Sequence, residues 1–224
     1  MIDYKMIKLL FYVLPMLLKG LIITLSVGFL ASIIGFIGGL LFGVFNSNKL
    51  KLCCVSRFIN FYVLLIRGTP LYVQVLIVYF VLPDALGINL TPFMAGVLAL
   101  GCNSIAYVSE IIRSGINSIP DGQWDTSYLL GYSLFSTMRY VILPQMLKNV
   151  LPALTSELVV LIKDTSILSV IGLVEMTRIG SNINARLLQP MPVFLSLAFL
   201  YLIVTTTISI ISKKIEKGLN YGDS

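Results

Sequence analysis

The sequence has no histidine among its 224 residues. That removes the side chain most used as a general base and as a metal ligand near neutral pH. The three cysteines, Cys53, Cys54 and Cys102, show neither a CxxC pair nor zinc-ligand spacing. Neither a disulfide framework nor a metal centre is expected, and all three read as small buried apolar residues. The dipeptide Gly-Lys never occurs, so there is no Walker A loop and no cofactor or ATP site is expected in this chain. Charge is scarce: 12% of residues are charged, against about 25% in a soluble domain. What replaces it is apolar surface, 57% of residues with a mean hydropathy of +0.94, more than one small core can hide. The chain is therefore expected to be an all-α integral membrane protein. Its net charge of +6 reads as basic flanks of membrane spans, because no basic face or motif points to nucleic acid. Three function classes remain in view: a transport subunit, a self-sufficient carrier or channel, and an integral membrane enzyme. The last lacks any nucleophile–base arrangement.

About 20 apolar residues cross a bilayer as a helix. Five stretches qualify in outline: 20–45, 58–82 (interrupted by RGTP at 67–70), 90–109, 149–172 and 191–212. Segment 1–19 carries Lys5, Lys8 and Lys19 between apolar residues and reads as an amphipathic interfacial helix, with no cleavable signal peptide. The domain map is thus an amphipathic segment at 1–19, one membrane domain at 20–212 and a basic tail at 213–224. Lysine and arginine set the orientation. Lys49, Lys51, Arg57, Arg113, Arg139, Lys148, Lys213, Lys214 and Lys217 fall on one side. Lys5, Lys8, Lys19, Arg178 and Arg186 fall on the other. Nine against five puts the C-terminus and the loop at 114–148 in the cytoplasm. In the first span Gly35, Gly39 and Gly43 recur every four residues, a stripe that admits another helix backbone, either within this chain or from a second copy.

Residues 122–144, GQWDTSYLLGYSLFSTMRYVILP, are mixed in polarity and hold the only tryptophan, Trp124. Asp121 and Asp125 suit helix starts, Gly131 suits the left-handed position that ends a helix, and Ser133 suits a second cap. A short helix over 125–130 and another over 133–138 are expected, with Pro144 beyond them where the chain turns back to the membrane. Trp124, Tyr128, Leu130, Leu134 and Phe135 would give this knob an apolar face, buried against a partner or laid on headgroups.

The same stretch resembles the cytoplasmic coupling loop of ABC-importer permeases, Glu-Ala-Ala, three residues, Gly, nine residues, Ile-x-Leu-Pro. Asp125, Thr126 and Ser127 stand at the Glu-Ala-Ala positions, Gly131 at the glycine, Val141 at the isoleucine, and Leu143 and Pro144 at the ending. Asp125 keeps the acid one methylene shorter, and Thr126 and Ser127 have lower helix propensity than alanine. RGTPLYVQ at 67–74, AYVSEIIRSGINSIPDGQWD at 106–125 and LVVLIKDTSILSVIG at 158–172 resemble the polar amino acid permeases of the histidine/glutamine/arginine type. The resemblance implies a type I importer permease in a bacterial inner membrane, multi-pass, with five transmembrane helices. It implies a second permease chain, identical or related, and a pair of ABC ATPase subunits that carry the ATP and Mg and receive the loops. It also implies an external amino-acid-binding protein and a polar amino acid as cargo.

Ionisable residues inside a span cost about 2.5–3.5 kcal/mol on insertion scales and mark function or pairing. Glu157 lies within the expected fourth span, with Asp164 seven residues later on nearly the same helix face. Glu157 is read either as the acceptor of the cargo's ammonium or guanidinium, the role the resemblance implies, or as the partner of Arg67 or Lys163. Lys163 and Asp164 read as a structural or gating pair. Arg67, next to the helix-weakening Gly68-Thr69-Pro70, together with Gln74 and Tyr107, completes the candidate substrate-binding set.

Overall fold

The computed structural model describes residues 4–50 and 53–220, with side chains described from 12 to 218 within those limits. The expectations placed on Lys5, Lys8 and Lys51 lie outside the described side chains. The described residues form nine α-helices. They are α1 (Tyr4–Phe45), α2 (Cys53–Gly68), α3 (Leu71–Leu86), α4 (Pro92–Asn117), α5 (Asp121–Leu129), α6 (Leu134–Thr137), α7 (Leu143–Asp164), α8 (Met176–Leu187) and α9 (Pro190–Asn220). A π-helical turn, Met138–Ile142, joins α6 to α7, and a 3₁₀ turn, Thr165–Ile171, follows α7. Helix suits a lipid-facing chain, because it satisfies the backbone donors and acceptors within one segment.

Local chemistry sets the boundaries. Proline at N1 and Thr91 start α4, with the Thr91 Oγ1 accepting from Met94 N at 3.2 Å. Pro70 stands at the start of α3 with extended φ −64° and ψ 134°, so the RGTP stretch breaks one helix from the next. Further prolines sit inside helical segments rather than ending them, Pro15 in α1 and Pro152 in α7 among them. Pro83 and Pro144 each come two residues after a π turn, Ile77–Val81 and Met138–Ile142. A proline ring clashes with the carbonyl four residues back, and the wider π turn makes room for it. That corrects two expectations: the second short helix does not stop at Met138, and Pro144 lies in the first turn of α7 instead of in a loop.

Length and apolarity support three crossings, Tyr12–Phe45, Pro92–Asn117 and Pro190–Gly218, and a fourth if the bent pair Cys53–Gly68 and Leu71–Leu86 is one broken span. The expected fourth crossing, carried by α7, does not qualify on these grounds. The third span also runs seven residues past Glu110, to Asn117. The interfacial segment expected at 1–19 continues into the first span as one helix through Pro15 and Gly20. Cys53, Cys54 and Cys102 are exposed, not buried, in keeping with a chain whose outer surface suits lipid.

The chain divides into two compact units. The first comprises Met1–Ile33, Pro70–Gly101 and Leu158–Ile208. One of its cores gathers Val27, Ala31, Val75, Ala99, Leu161 and Leu168; another gathers Val13, Leu17, Met176, Ile183, Val193 and Leu197. Fully buried Glu175 caps α8, accepting from Thr177 N at 2.7 Å and Arg178 N at 2.6 Å. The second unit comprises Ile34–Thr69, Cys102–Glu157 and Ser209–Ser224. Here the glycine stripe finds its partner inside the chain. Gly35 faces Ser104, and a Cβ on Gly39 or Gly43 would come within 2.5 Å of Val108 or 2.6 Å of Ile112. The stripe is the seam between α1 and α4, which closes the alternative of a second copy on that face.

Candidate functional site

Two features of the second unit stand out. The first is the segment at 121–144, expected from the sequence to serve as a coupling loop. Its opening helix α5 begins at Asp121, four residues earlier than expected, with Pro120 at the N-cap and no side-chain cap. Neither Asp121 nor Asp125 caps it: Asp121 occupies the first turn, where a carboxylate favours the helix dipole, and Asp125 lies mid-helix. Asp121 Oδ1 instead meets Lys49 Nζ at 2.7 Å. That hydrogen bond pushes the Lys49 ammonium above its ordinary 10.5.

The helix ends in a complete Schellman motif. Tyr132 N donates to Ser127 O and Gly131 N to Tyr128 O, each at 3.0 Å, and Gly131 has φ 81°. Nothing lies within 4 Å of a Cβ built on Gly131, so the demand for glycine there is backbone strain alone. Ser133 then caps α6, its Oγ accepting from Ser136 N at 3.2 Å. Gln145 Nε2 donates to Val141 O at 2.8 Å and to Gln123 Oε1 at 3.4 Å, tying the start of α7 to the π turn and to α5.

Trp124 was expected on the outward apolar face. It is 1% exposed, packed with Ile112, Ile116, Ile119, Met138, Ile142 and Met146. Its place in the first turns of α5 turns it toward α4 and away from solvent. Ser127, three residues later, is also buried and donates from Oγ to Gln123 O at 2.7 Å. The outward face is made by other residues. Leu129 is 88% exposed, Leu130 and Phe135 71% each, and Tyr128, Tyr132 and Leu134 are also exposed. Asp125, Thr126, Gly131 and Pro144 are exposed as well, while Val141 and Leu143 are partly buried under the segment.

The second feature is a cleft of about 410 Å³ lined by Arg67, Tyr107, Glu110, Ser114, Asn149 and Ala153, among others. Helices α2, α4 and α7 build it. Glu110 organises its charge. Arg113 grips Glu110 through two bonds, Nε to Oε1 at 3.0 Å and Nη2 to Oε2 at 2.7 Å, the fork geometry that suits a carboxylate. Arg67 Nη1 stands 3.9 Å from the same Oε2, and its guanidinium lies 5.3 Å from the centre of the Tyr107 ring. The cleft can thus offer a cation, an acid already shared between two arginines, an aromatic face and small hydroxyls.

Of the candidate substrate-binding residues, Arg67 and Tyr107 come together in this cleft. Glu157 is partly buried on α7, one turn beyond Ala153 and on the same helix face, fourteen residues after the helix begins. It is not a free carboxylate. Buried Gln74 on α3 and partly buried Asp164 on α7 belong to the first unit and are no part of this cleft. Lys163 and Asp164 form no ion pair among the described residues, because adjacent helical positions point apart. Glu110 was missed, standing one residue past the expected third span at 90–109. Its signal was an acid three residues before Arg113 inside an apolar helix, the spacing of an ion pair.

Comparison with known proteins gives a consistent result. The family model described as binding-protein-dependent transport system inner membrane component matches residues 39–221. The arginine transport system permease protein ArtQ of Bacillus subtilis strain 168 is 38% identical over 215 residues, 93% of this chain and 94% of that protein. The putative glutamine transport system permease protein GlnP of Rickettsia typhi is 38% identical over 203 residues, 91% and 92% of the two chains. The glutamine transport system permease protein GlnP of Escherichia coli K12 is 36% identical over 212 residues, 92% and 93%. Among solved structures, a crystal structure of an amino acid ABC transporter with histidines aligns with a TM-score of 0.85 at 36% identity, covering 97% of this chain and 99% of that one. An inward-facing MetNI methionine ABC transporter aligns at 0.81 and 19% identity, covering 91% and 96%, a likeness of fold alone.

Proposed function

From the premise that this chain belongs to the family of binding-protein-dependent transport system inner membrane components, we propose that it forms the membrane pathway of an ATP-driven importer for a polar amino acid of the glutamine or arginine type. The observation that carries the coupling half of this reading is the exposed tip Leu129–Leu130–Phe135 held on the buried Trp124. An apolar tip on a rigid base suits insertion into a groove of a partner that hydrolyses ATP. That partner is a pair of ATPase subunits binding ATP and Mg; a second permease chain completes the pathway, and an external solute-binding protein supplies the amino acid. The chain crosses the membrane five times in this reading, with α7 as the fourth crossing, and its C-terminus is cytoplasmic. The excess of lysine and arginine on that side supports the orientation.

Within the pathway, Glu157 accepts the cargo's positive group, and Arg67 and Tyr107 contact it from the cleft. Gln74 and Asp164 are the remaining members of the proposed substrate-binding set. Asp125, Thr126, Ser127, Gly131, Val141, Leu143 and Pro144 form the coupling element. The reading is tested by purifying the chain with its ATPase, reconstituting the complex and measuring uptake of a panel of labelled amino acids with the solute-binding protein present. ATP-dependent uptake of glutamine or arginine is the expected result. Purification without any ATPase, together with ATP-independent flux, would sink it. Glu157→Gln should leave complex yield intact and greatly reduce uptake, most severely for arginine; normal uptake at normal yield would remove Glu157 from the site.

A further inference from the structure

The loop at 46–50, which follows α1, lies within the second unit. Its polar residues, Asn46 to Lys49, fold it into a tight turn. Ser47 donates from N and from Oγ to Val44 O at 3.2 and 2.8 Å, and Leu50 N donates to Ser47 O at 3.1 Å. Asn46 and Ser47 are buried although polar. From this turn the chain reaches α2, α4 and α5. Asn46 Nδ2 donates to Asn60 Oδ1 of α2 at 2.7 Å. Asn48 N donates to Asn117 Oδ1, on the last residue of α4, at 3.0 Å. Lys49 pairs with Asp121, the first residue of α5, and Leu50 packs against the cluster that buries Trp124.

Asn117 and Asp121 flank the connection Ser118, Ile119, Pro120, which joins α4 to α5. The connection's own bonds run to one helix or the other. Ser118 Oγ donates to Gly115 O at 2.7 Å and Ile119 N to Ile116 O at 3.2 Å, both on α4, while Gln123 N donates to Pro120 O at 3.0 Å and opens α5. None of these bonds fixes the angle between the two helices. Apolar packing around Trp124 holds α5 against α4, but such packing is non-directional, whereas a hydrogen bond has a preferred geometry. The loop grips both sides of the connection. Its Lys49–Asp121 pair is solvent-exposed and contributes little. The Asn48–Asn117 bond therefore carries the directional part of the grip.

We propose that the loop at 46–50 is a strap across the α4–α5 connection and that Asn117 is a positioning residue. By holding Asn48 it sets the angle at which the segment at 121–144 stands off α4. Through Asn46 and Asn60 the strap ties that angle to α2, the helix whose last turn carries Arg67. The strap follows from these bonds alone; its effect on transport rests on the coupling reading above.

The test uses the intact complex. The donor at Asn48 is a backbone N–H that no side-chain exchange removes, so the acceptor is changed instead. Asn117→Leu keeps the size and loses the oxygen; Asn117→Asp keeps an oxygen for Asn48. In the leucine variant, deuterium uptake by the amides of residues 118–130 should quicken about fivefold, the equilibrium worth of one neutral hydrogen bond. Complex yield should stay unchanged, and uptake per ATP hydrolysed should fall by a similar factor. The aspartate variant should match wild type in both readouts. A merely structural role for Asn117 would lower yield and melting temperature and leave uptake per ATP unchanged. Unchanged exchange in the leucine variant, or equal impairment of both variants, overturns the strap. Faster exchange with unchanged uptake per ATP overturns the positioning role. If the wild-type complex shows no ATP-driven uptake, the coupling reading fails, and the exchange comparison still decides the strap.

Discussion

The segment at 121–144 has two halves made of similar residues in opposite circumstances. Trp124 and the tip residues Leu129 and Phe135 are all large and apolar, yet the first is fully buried and the others stand in the open. The buried half fixes where the segment stands on its own unit. The exposed half contributes nothing visible to that packing and is free to be buried by another chain. Apolarity alone therefore does not identify an interface; apolarity that the chain's own core leaves uncovered does.

Four substitutions can break or sharpen this contrast, in falling order of effect. Trp124→Ala should be the worst for the chain itself. Removing a buried indole from the cluster of Ile112, Ile116 and Met146 should cost about 3–5 kcal/mol. A clear drop in the melting temperature of the purified chain checks it; an unchanged melt would mean that the anchor is elsewhere. Leu129→Asp should do the reverse. Melting should stay within about 0.5 kcal/mol of wild type, while retention of the ATPase falls about 30-fold, as expected for an interface residue worth about 2 kcal/mol. If the ATPase is retained in full, the tip is not the docking surface.

Gly131→Val should fall between the halves. The left-handed φ of 81° penalises a Cβ by about 1–2 kcal/mol, with no steric clash to add. The expected outcome is an assembled complex whose ATP hydrolysis no longer drives uptake, with Gly131→Asn recovering part of the coupling. Equal transport by the valine variant would disconnect this turn from coupling.

The smallest effect belongs to the Lys49–Asp121 pair, which is solvent-exposed. The Lys49 ammonium is held above 10.5 in the folded chain, so the pair's contribution is complete below 10.5 and disappears as pH rises through the higher folded value. Lys49→Gln should therefore shift melting only slightly at pH 7, and the small difference from wild type should vanish in strong alkali. A difference that grows with pH would contradict the assignment.

Much of this was legible in the residues. The glycine at 131, the serine cap at 133 and the break at Pro70 follow from backbone rules that act over four or five positions, and the structure places each where those rules predict. What the sequence hid depends on contacts distant along the chain. Trp124 looks amphipathic within its own short helix, and only α4 and α7 decide that it faces inward. The glycine stripe could have met another copy, until Val108 and Ile112 are seen filling it. Arg67, 43 positions from Glu110, joins the local Glu110–Arg113 pair only through the fold. Pro144 was misread for a different reason: a rule that prolines end helices omits the π turn that lets one stay.

That π turn also counts residues. Met138–Ile142 holds one residue more than an α-helical turn needs, so everything before it is rotated by about 100° relative to an unbroken helix. The heading of Phe135 around the axis of α7 is thus set by a single residue in the turn. A deletion of Val141 would spare the composition of the tip and its length while pointing it a quarter-turn or more away. Aim, in this segment, is encoded by arithmetic as much as by chemistry.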